Sequence, residues 1–372
     1  MFTEKINSRQ LFYLLFISRT TVAISFLPSL TSADALQDAW LSALLSFLPG
    51  AAIILLIGKL ALKFSEKDIV GYSEELLGAI PGKLLLLLYL FLFLIIVAST
   101  DLRLYAGVIK TGFLTETPLV VIAGIMMLAV VAVVYAGLEP LGRCADVIFP
   151  VFLMLLIAGL LFPLVRADFQ NLQPVLARGW SPVIMGSIIP TMITAAQYLH
   201  MSIIVPSLVE PQKALRAALW SYVLSTAVLV LYSVLVISVL GAEEGARSSF
   251  PVFRLLRAVR FSRFWERVEA VNIFSWGLGV FITVALGLYF SAWVISRLLG
   301  LGNYRPLLFP LAVIIVTLSV QQYATTFEVW RFFTPGVGGP LVFFLVLFPL
   351  AVLWAACLLK RPGKGKLPPR GE

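Results

Sequence analysis

The sequence predicts an all-α integral membrane protein with ten transmembrane helices in a 5+5 inverted repeat, the first and sixth helices being broken. Three observations predict it. Of the 372 residues 60% are hydrophobic and 13% charged, and the mean hydropathy is +0.99, more apolar surface than a soluble domain of this size hides from water. Ten segments approach the roughly 20 apolar residues needed to cross a hydrocarbon core. Two of them, in corresponding places of the two halves, are interrupted by polar residues or proline.

In chain order the spans are 8–32, 40–62, 83–110, 118–136 and 144–165, then 182–205, 214–241, 270–296, 306–324 and 340–359. They form one domain over 1–359, with repeat one about 8–165 and repeat two about 182–359. Five spans per half is an odd number, so the second half enters the bilayer from the opposite side. Lys5 and Arg9 precede the first span and no small-residue cleavage site ends it, so it is expected to be a retained helix.

The first span contains Ser18, Arg19, Thr20 and Thr21, followed by Val22, Ala23 and then Pro28. Where a helix unwinds in lipid, freed N–H and C=O groups must face protein, water or a ligand. The polar run therefore marks a facing surface at a break, or else Thr20 and Thr21 bond back to carbonyls of an intact helix. The third span carries Asp101 and Arg103. A deep charge is usually paired or functional, and the sequence favours an internal Arg19–Asp101 pair over capture of a ligand carboxylate by Arg19.

Glu139 and Arg143, four residues apart in GLEPLGRCADVIFP, read as a salt bridge at a helix entry. The sixth span has Pro190 near its middle, Gly186 and Ser187 before it, and Thr191, Thr194, Gln197, Tyr198 and His200 after it. It is expected to break there, with simple kinking at Pro190 as the alternative. His200, the single histidine, reads as a satisfied interior group rather than a proton relay.

Residues 242–269 form a basic connection in which Arg254, Arg257, Arg260, Arg263 and Arg267 recur every three or four residues, with Val252, Leu255, Leu256, Val259 and Phe264 between them. This is the pattern of an amphipathic helix lying along the membrane surface. Its arginines either form a solvated face with Glu266 and Glu269 or contact anionic lipid or protein. In the eighth span Trp276 stands near Gly279, with Thr283 following, so its ring either lines a cavity or packs a neighbouring helix. The tail, 360–372, is basic and rich in Pro and Gly and is expected to be disordered near lipid headgroups.

With the N-terminus in the cytoplasm, sixteen Lys and Arg fall on the inner side and ten on the outer, six of those ten in 242–269. The positive-inside rule then places both termini in the cytoplasm. Scattered basic residues without an aromatic-interleaved groove argue against nucleic acid and for lipid headgroups. Cys144 and Cys357 are the only cysteines, and no metal-ligand spacing, phosphate loop or nucleophile elbow is present. Neither enzyme chemistry nor a cofactor is expected.

The candidate ligand-binding set is Ser18, Arg19, Thr20, Thr21, Val22, Ala23, Asp101, Pro190, Thr191, Thr194, Gln197, Tyr198, Trp276 and Thr283, facing a pocket between spans 1, 3, 6 and 8. A small zwitterion suits it, because a half-helix N-terminus attracts carboxylate and freed carbonyls accept ammonium. The chain then either senses that molecule or carries it as a secondary amino-acid permease. A scaffold that has lost ligand binding is the third possibility.

Six ordered motifs add a resemblance: INSRQLFYLLFIS, DAWLSALLSFLPG, TETP, GLEPLGRCADVIFP, LVEPQKALRAAL, and FPVFRLLR with ERVEAVNIFSW. Together they run over almost the whole chain and resemble the B subunits of bacterial spore germinant receptors, in the amino acid–polyamine–organocation superfamily. That resemblance implies the leucine-transporter-like fold and a subunit of the spore inner membrane. It further implies a small germinant, commonly an amino acid, and action with an A subunit and a C lipoprotein. Where that family has glycines in the first-span break, this chain reads TTVAISFLP, keeping Thr21 and Pro28. Without glycine, close approach of backbone to ligand is harder.

Overall fold

A computed structural model describes residues 4–87, 93–258, 269–323, 325, 328–330 and 333–360. Among them the protein is helical apart from one isolated bridge between backbone segments. Seven stretches are long and apolar enough to span a membrane: 27–63, 119–136, 138–166, 180–207, 211–240, 272–298 and 335–359. The predicted spans 8–32, 83–110 and 306–324 are not matched one for one. Helix α1, Ser8–Ala23, is cut short by a break before α2, Leu27–Ala35. Part of the third span, 88–92, lies outside the described residues, and the apolar helix at the ninth is shorter than the rest.

After α2 a 3-10 turn at Leu36–Asp38 reverses the chain, with Leu36 at φ 50°. Helices α3, Ala39–Leu45, and α4, Phe47–Lys63, follow, then α5, Ile69–Leu77, and α6, Ala79–Leu86. The third span resumes as α7, Phe93–Gly112; α8, Leu119–Ala136, and α9, Leu138–Leu161, complete the first half. The second half comprises α10, Trp180–Tyr198, α11, Met201–Ile204, and α12, Ala214–Leu240. The connection holds α13, Ala242–Arg247, and α14, Pro251–Ala258; then come α15, Glu269–Leu298, α16, Leu308–Gln321, α17, Pro335–Val342, and α18, Phe348–Leu359.

Helix α1 lies at the centre, packed on α9, α12 and α15, with every residue from Leu14 to Ala23 buried. Much of α8 faces outward instead, as a uniformly apolar helix does when one side meets lipid. The start of α1 is fixed by a capping box: Gln10 N–H donates to Asn7 Oδ1 at 2.8 Å and Asn7 N–H to Gln10 Oε1 at 3.0 Å. Glu139 and Arg143 do form the expected ion pair, at 2.6 Å, although both are exposed enough that it contributes little.

The chain before α1 ties the terminal end of the bundle together. Ile6 N–H donates to Ser207 O and Val209 N–H to Ile6 O, both at 3.0 Å. The Glu4 carboxylate accepts from Leu138 N–H, an otherwise orphaned donor at the start of α9. Nearby Tyr304 donates to Val134 O at 3.2 Å. Burial, with the Glu4 charge second, pushes its phenol up to about 12, so it remains a donor at neutral pH.

On the opposite end, α14 has the amphipathic form predicted for the connection. Val252, Phe253, Leu255 and Leu256 are buried, while Arg254 and Arg257 are exposed. Val259, Arg260, Arg263, Phe264, Glu266, Arg267 and the tail beyond Lys360 lie outside the described residues, as does the side chain of Glu269.

Gly137, at φ 123°, leaves the space that Glu4 fills, and a Cβ there would collide with its carboxylate. Gly137→Ala should therefore lower stability by about 1–3 kcal/mol, seen as a lower unfolding midpoint in detergent. Gly124→Ala, inside α8 with open space around it, should not lower the midpoint and should raise it slightly, by the equivalent of about 0.5–1 kcal/mol.

Candidate functional site

The break in the first span lies at residues 24–26, one turn beyond the polar run that predicts it. Ser18 to Ala23 remain helical and buried, so the polar run stands beside the break, which falls within TTVAISFLP. Thr21 bonds back to Ile17 O at 2.6 Å, whereas the Thr20 hydroxyl has no partner among the described residues. The chain unwinds later because Ser25 and Pro28 sit where it ends. The Ser25 hydroxyl donates to Thr21 O at 3.0 Å and is 3.1 Å from Val22 O, and Pro28 falls in the first turn of α2, where a missing N–H costs nothing.

The next freed carbonyl, Ile24 O, accepts from Asn272 Nδ2 of α15 at 3.0 Å. A backbone carbonyl left unsatisfied in the interior costs about 1–3 kcal/mol by protein mutational data. Asn272 was absent from the predicted set. Its signal is present in the sequence as the amide in the apolar run VNIFSW, a polar residue inside a span being functional or structural by default.

In the sixth span the helix continues through Pro190 and breaks at Leu199–His200, a correction to the expected break at proline. Local hydroxyls cover backbone acceptors along this helix: Thr191 donates to Ser187 O and Thr194 to Pro190 O, each at 2.8 Å. Gly186 allows α10 close against Thr31 O and Ser42. Gln197, just before the break, donates to Ser18 O at 3.1 Å and so joins the two broken spans. Tyr198 shares a 2.9 Å hydrogen bond with Ser221. His200 is buried and stacked on Phe290 with centroids 4.4 Å apart, and neither ring nitrogen has a hydrogen-bond partner among the described residues. His200 thus sits as an interior side chain held by ring packing.

Arg19 is fully buried, and its Nε and Nη2 donate to Thr194 Oγ1 at 3.2 Å and Pro190 O at 3.3 Å. Its Nη1 has no partner among the described residues. No Arg19–Asp101 ion pair occurs among the described residues, which overturns the expected pairing. The two side chains serve different surfaces: Arg19 is turned to α10, and Asp101 projects from α7 into a cavity.

That cavity, of about 60 Å³, is enclosed by Val22 and Phe26 of the first span, Thr100 and Asp101 of the third, Met192 and Gln197 of the sixth, and Gly338 and Val342 of α17. Asp101 is the charged member of its lining. At roughly 10–15 Å³ per water, it has room for no more than a few waters as it stands. Of the predicted set it brings together Val22, Asp101 and Gln197. The remaining predicted residues are not among its lining, and α17 takes the place expected for the eighth span. The signal for α17 is the TPGVGGP interruption at the start of the last span.

Thr283 reaches the site only indirectly, donating to Gly279 O at 3.0 Å with Ser18 Oγ at 3.4 Å. Trp276 packs against Tyr105 at 5.7 Å and Phe253 at 5.3 Å, which answers its two readings in favour of packing. From there an aromatic wall runs through Phe250 and Trp330 to Phe26, which meets Trp330 at 5.2 Å and Phe333 at 5.4 Å. It covers the cavity on the side of α14.

Residues 5–327 match the family described as Spore germination protein, and the chain belongs to that family. It is 26% identical to Spore germination protein KB of Bacillus subtilis (strain 168), over 87% of this chain and 86% of that one. It is 24% identical to Spore germination protein YndE of the same organism, over 79% and 81%. Among solved structures it resembles MhsT in complex with L-phenylalanine, with a TM-score of 0.69 at 16% identity, covering 95% of this chain and 99% of that one. It also resembles Mhp1, a nucleobase-cation-symport-1 family transporter with bromovinylhydantoin bound (TM-score 0.65, 16% identity, 92% and 78% covered). The fold is leucine-transporter-like, and the protein is a multi-pass membrane protein.

Replacing Asn272 by Leu removes the donor to Ile24 O while keeping the volume. The orphaned carbonyl should cost about 1–3 kcal/mol, read as a lower unfolding midpoint in detergent. An unchanged midpoint would mean that the break has another donor.

Proposed function

We propose that this chain is the membrane subunit of a spore germinant receptor, binding a small ammonium-bearing germinant such as an amino acid in the cavity between its two broken helices. What supports this reading is Asp101: a carboxylate in an otherwise largely apolar enclosure beside both breaks, where burying an unpaired charge is expensive unless a partner arrives. The ammonium lies against Asp101 and the Gln197 amide. The carboxylate of an amino acid points toward the amino end of α2, which begins beside Phe26.

On this reading the chain has ten spans in two inverted halves of five, broken at the first and sixth, with both termini cytoplasmic and the spore inner membrane as its location. The family resemblance supplies the A subunit and C lipoprotein as the partners that read its state. A germinant shifts the packing of the bundle only by binding one arrangement more tightly than another. The second reading, a secondary amino-acid permease, draws on the likeness to transporters in fold.

Thermal unfolding of the purified protein against a panel of amino acids, sugars and nucleosides tests the site. A stabilising amino acid should bind Asp101→Asn at least about tenfold more weakly, the loss of about one charge-assisted contact. Undiminished affinity in that variant would exclude the carboxylate as the anchor. Counterflow of the same compound in proteoliposomes separates the two readings: saturable exchange by the isolated chain means a permease, and binding without exchange a receptor.

A further inference from the structure

A second pocket lies on the end of the bundle opposite the N-terminus, between the last turns of α7, the connection carrying α14, and the start of α15. Its volume is 530 Å³, and it is separate from the Asp101 cavity in every lining residue. Three guanidinium groups, Arg247, Arg254 and Arg257, line one side, and no carboxylate does among the described residues. Arg247 pairs with Glu243 at 3.5 Å and Arg254 with Glu244, but those pairs are exposed and therefore weak and exchangeable. Ser248, 4% exposed, also lines the pocket, and its hydroxyl has no partner among the described residues.

The other side is apolar, formed by Leu104, Val108 and Ile273. Gly107, within this wall, has open space where a Cβ would stand, so α7 presents a slot rather than a ridge. The exposed ring of Phe113 also lines the pocket. A free anion would use only the basic half of such a pocket.

We propose that this pocket binds an anionic phospholipid, its phosphate on the arginines and Ser248 and its chains along the Gly107 slot. Guanidinium forks match phosphate oxygens in geometry, and an unpartnered buried hydroxyl gains an acceptor when phosphate arrives. The amphipathic α14, with its apolar side against the bundle and Arg254 and Arg257 outward, sits at the depth where headgroup and chain meet. Arg254 and Arg257 of the periodic run thus gain a ligand.

The test uses the full chain in nonionic detergent with phosphatidylglycerol, phosphatidylcholine of the same chains, and inorganic phosphate as separate probes. Native mass spectrometry should retain phosphatidylglycerol over phosphatidylcholine, and only the former should raise the unfolding midpoint. Gly107→Leu fills the slot without touching charge, and the double variant Arg247→Gln with Arg257→Gln removes exposed charge without touching the slot. Each should reduce phosphatidylglycerol retention about tenfold or more. Equal retention of both lipids, or retention unchanged in the arginine variant, would overturn the proposal. So would equal stabilisation by inorganic phosphate, which would assign the pocket to a free anion.

Discussion

The structure depends on one constraint: where the first span unwinds inside the bundle, each freed backbone group must find a partner in protein. Ser25 closes two carbonyls from its own side of the break, Thr21 O with its hydroxyl and Val22 O with its backbone N–H, and Asn272 closes a third from the eighth span. Gln197 takes a fourth acceptor, Ser18 O, from the sixth. These bonds do more than satisfy groups. They dictate which helices stand beside the break, because a donor from α10 and one from α15 can reach it only if both helices cross there. In a medium without competing water, such positional demands are stringent.

The same reasoning explains the burial of a guanidinium without a carboxylate. Arg19 lies on neutral acceptors, the Thr194 hydroxyl and the Pro190 carbonyl. Thr194 can serve because a hydroxyl donates once, here to Pro190 O, and still accepts from Arg19. Had Arg19 met Asp101, the positive and negative groups would have cancelled inside the core. Keeping them on different surfaces leaves one carboxylate directed at a cavity and one cation holding two spans together. Thus the charge of the first span ties two spans together and the carboxylate of the third lines the cavity.

The membrane class and the placing of irregularity in spans one and six were legible in the sequence, because apolar length and polar interruption are local properties. The positions of the breaks were not. Pro190 is the conspicuous helix breaker, yet local hydroxyl bonds and close packing at Gly186 carry α10 past it, so tertiary contacts overrode the local signal. Conversely, the break at 24–26 is set by Ser25 and by Asn272, distant in sequence and joined only by the fold. Of the predicted ligand set, Val22, Asp101 and Gln197 face the cavity. The hydroxyls of Thr21, Thr191 and Thr194 turn back on their own helices, the ordinary behaviour of threonine in a helix. Side-chain direction around a helix is not readable from residue type alone.

Phe26 belongs at once to the first-span break, the cavity wall and the aromatic wall under α14. The cavity as it stands accommodates a few waters, so admitting a larger molecule requires Phe26, Phe333 or Met192 to move. Phe26 cannot move far without disturbing either its contact with Trp330 or the backbone turn that Ser25 and Asn272 hold. Widening the cavity is therefore mechanically tied to both the α14 side and the first span, and through α1 to the clasp in which Ile6 pairs with Ser207 and Val209. A packed core resists continuous deformation, so a change in cavity size favours discrete rearrangement of these contacts over gradual yielding. An alternative arrangement in which the terminal clasp loosens while the aromatic wall holds, or the reverse, is the kind of two-state element that a ligand with unequal affinity for the two would bias.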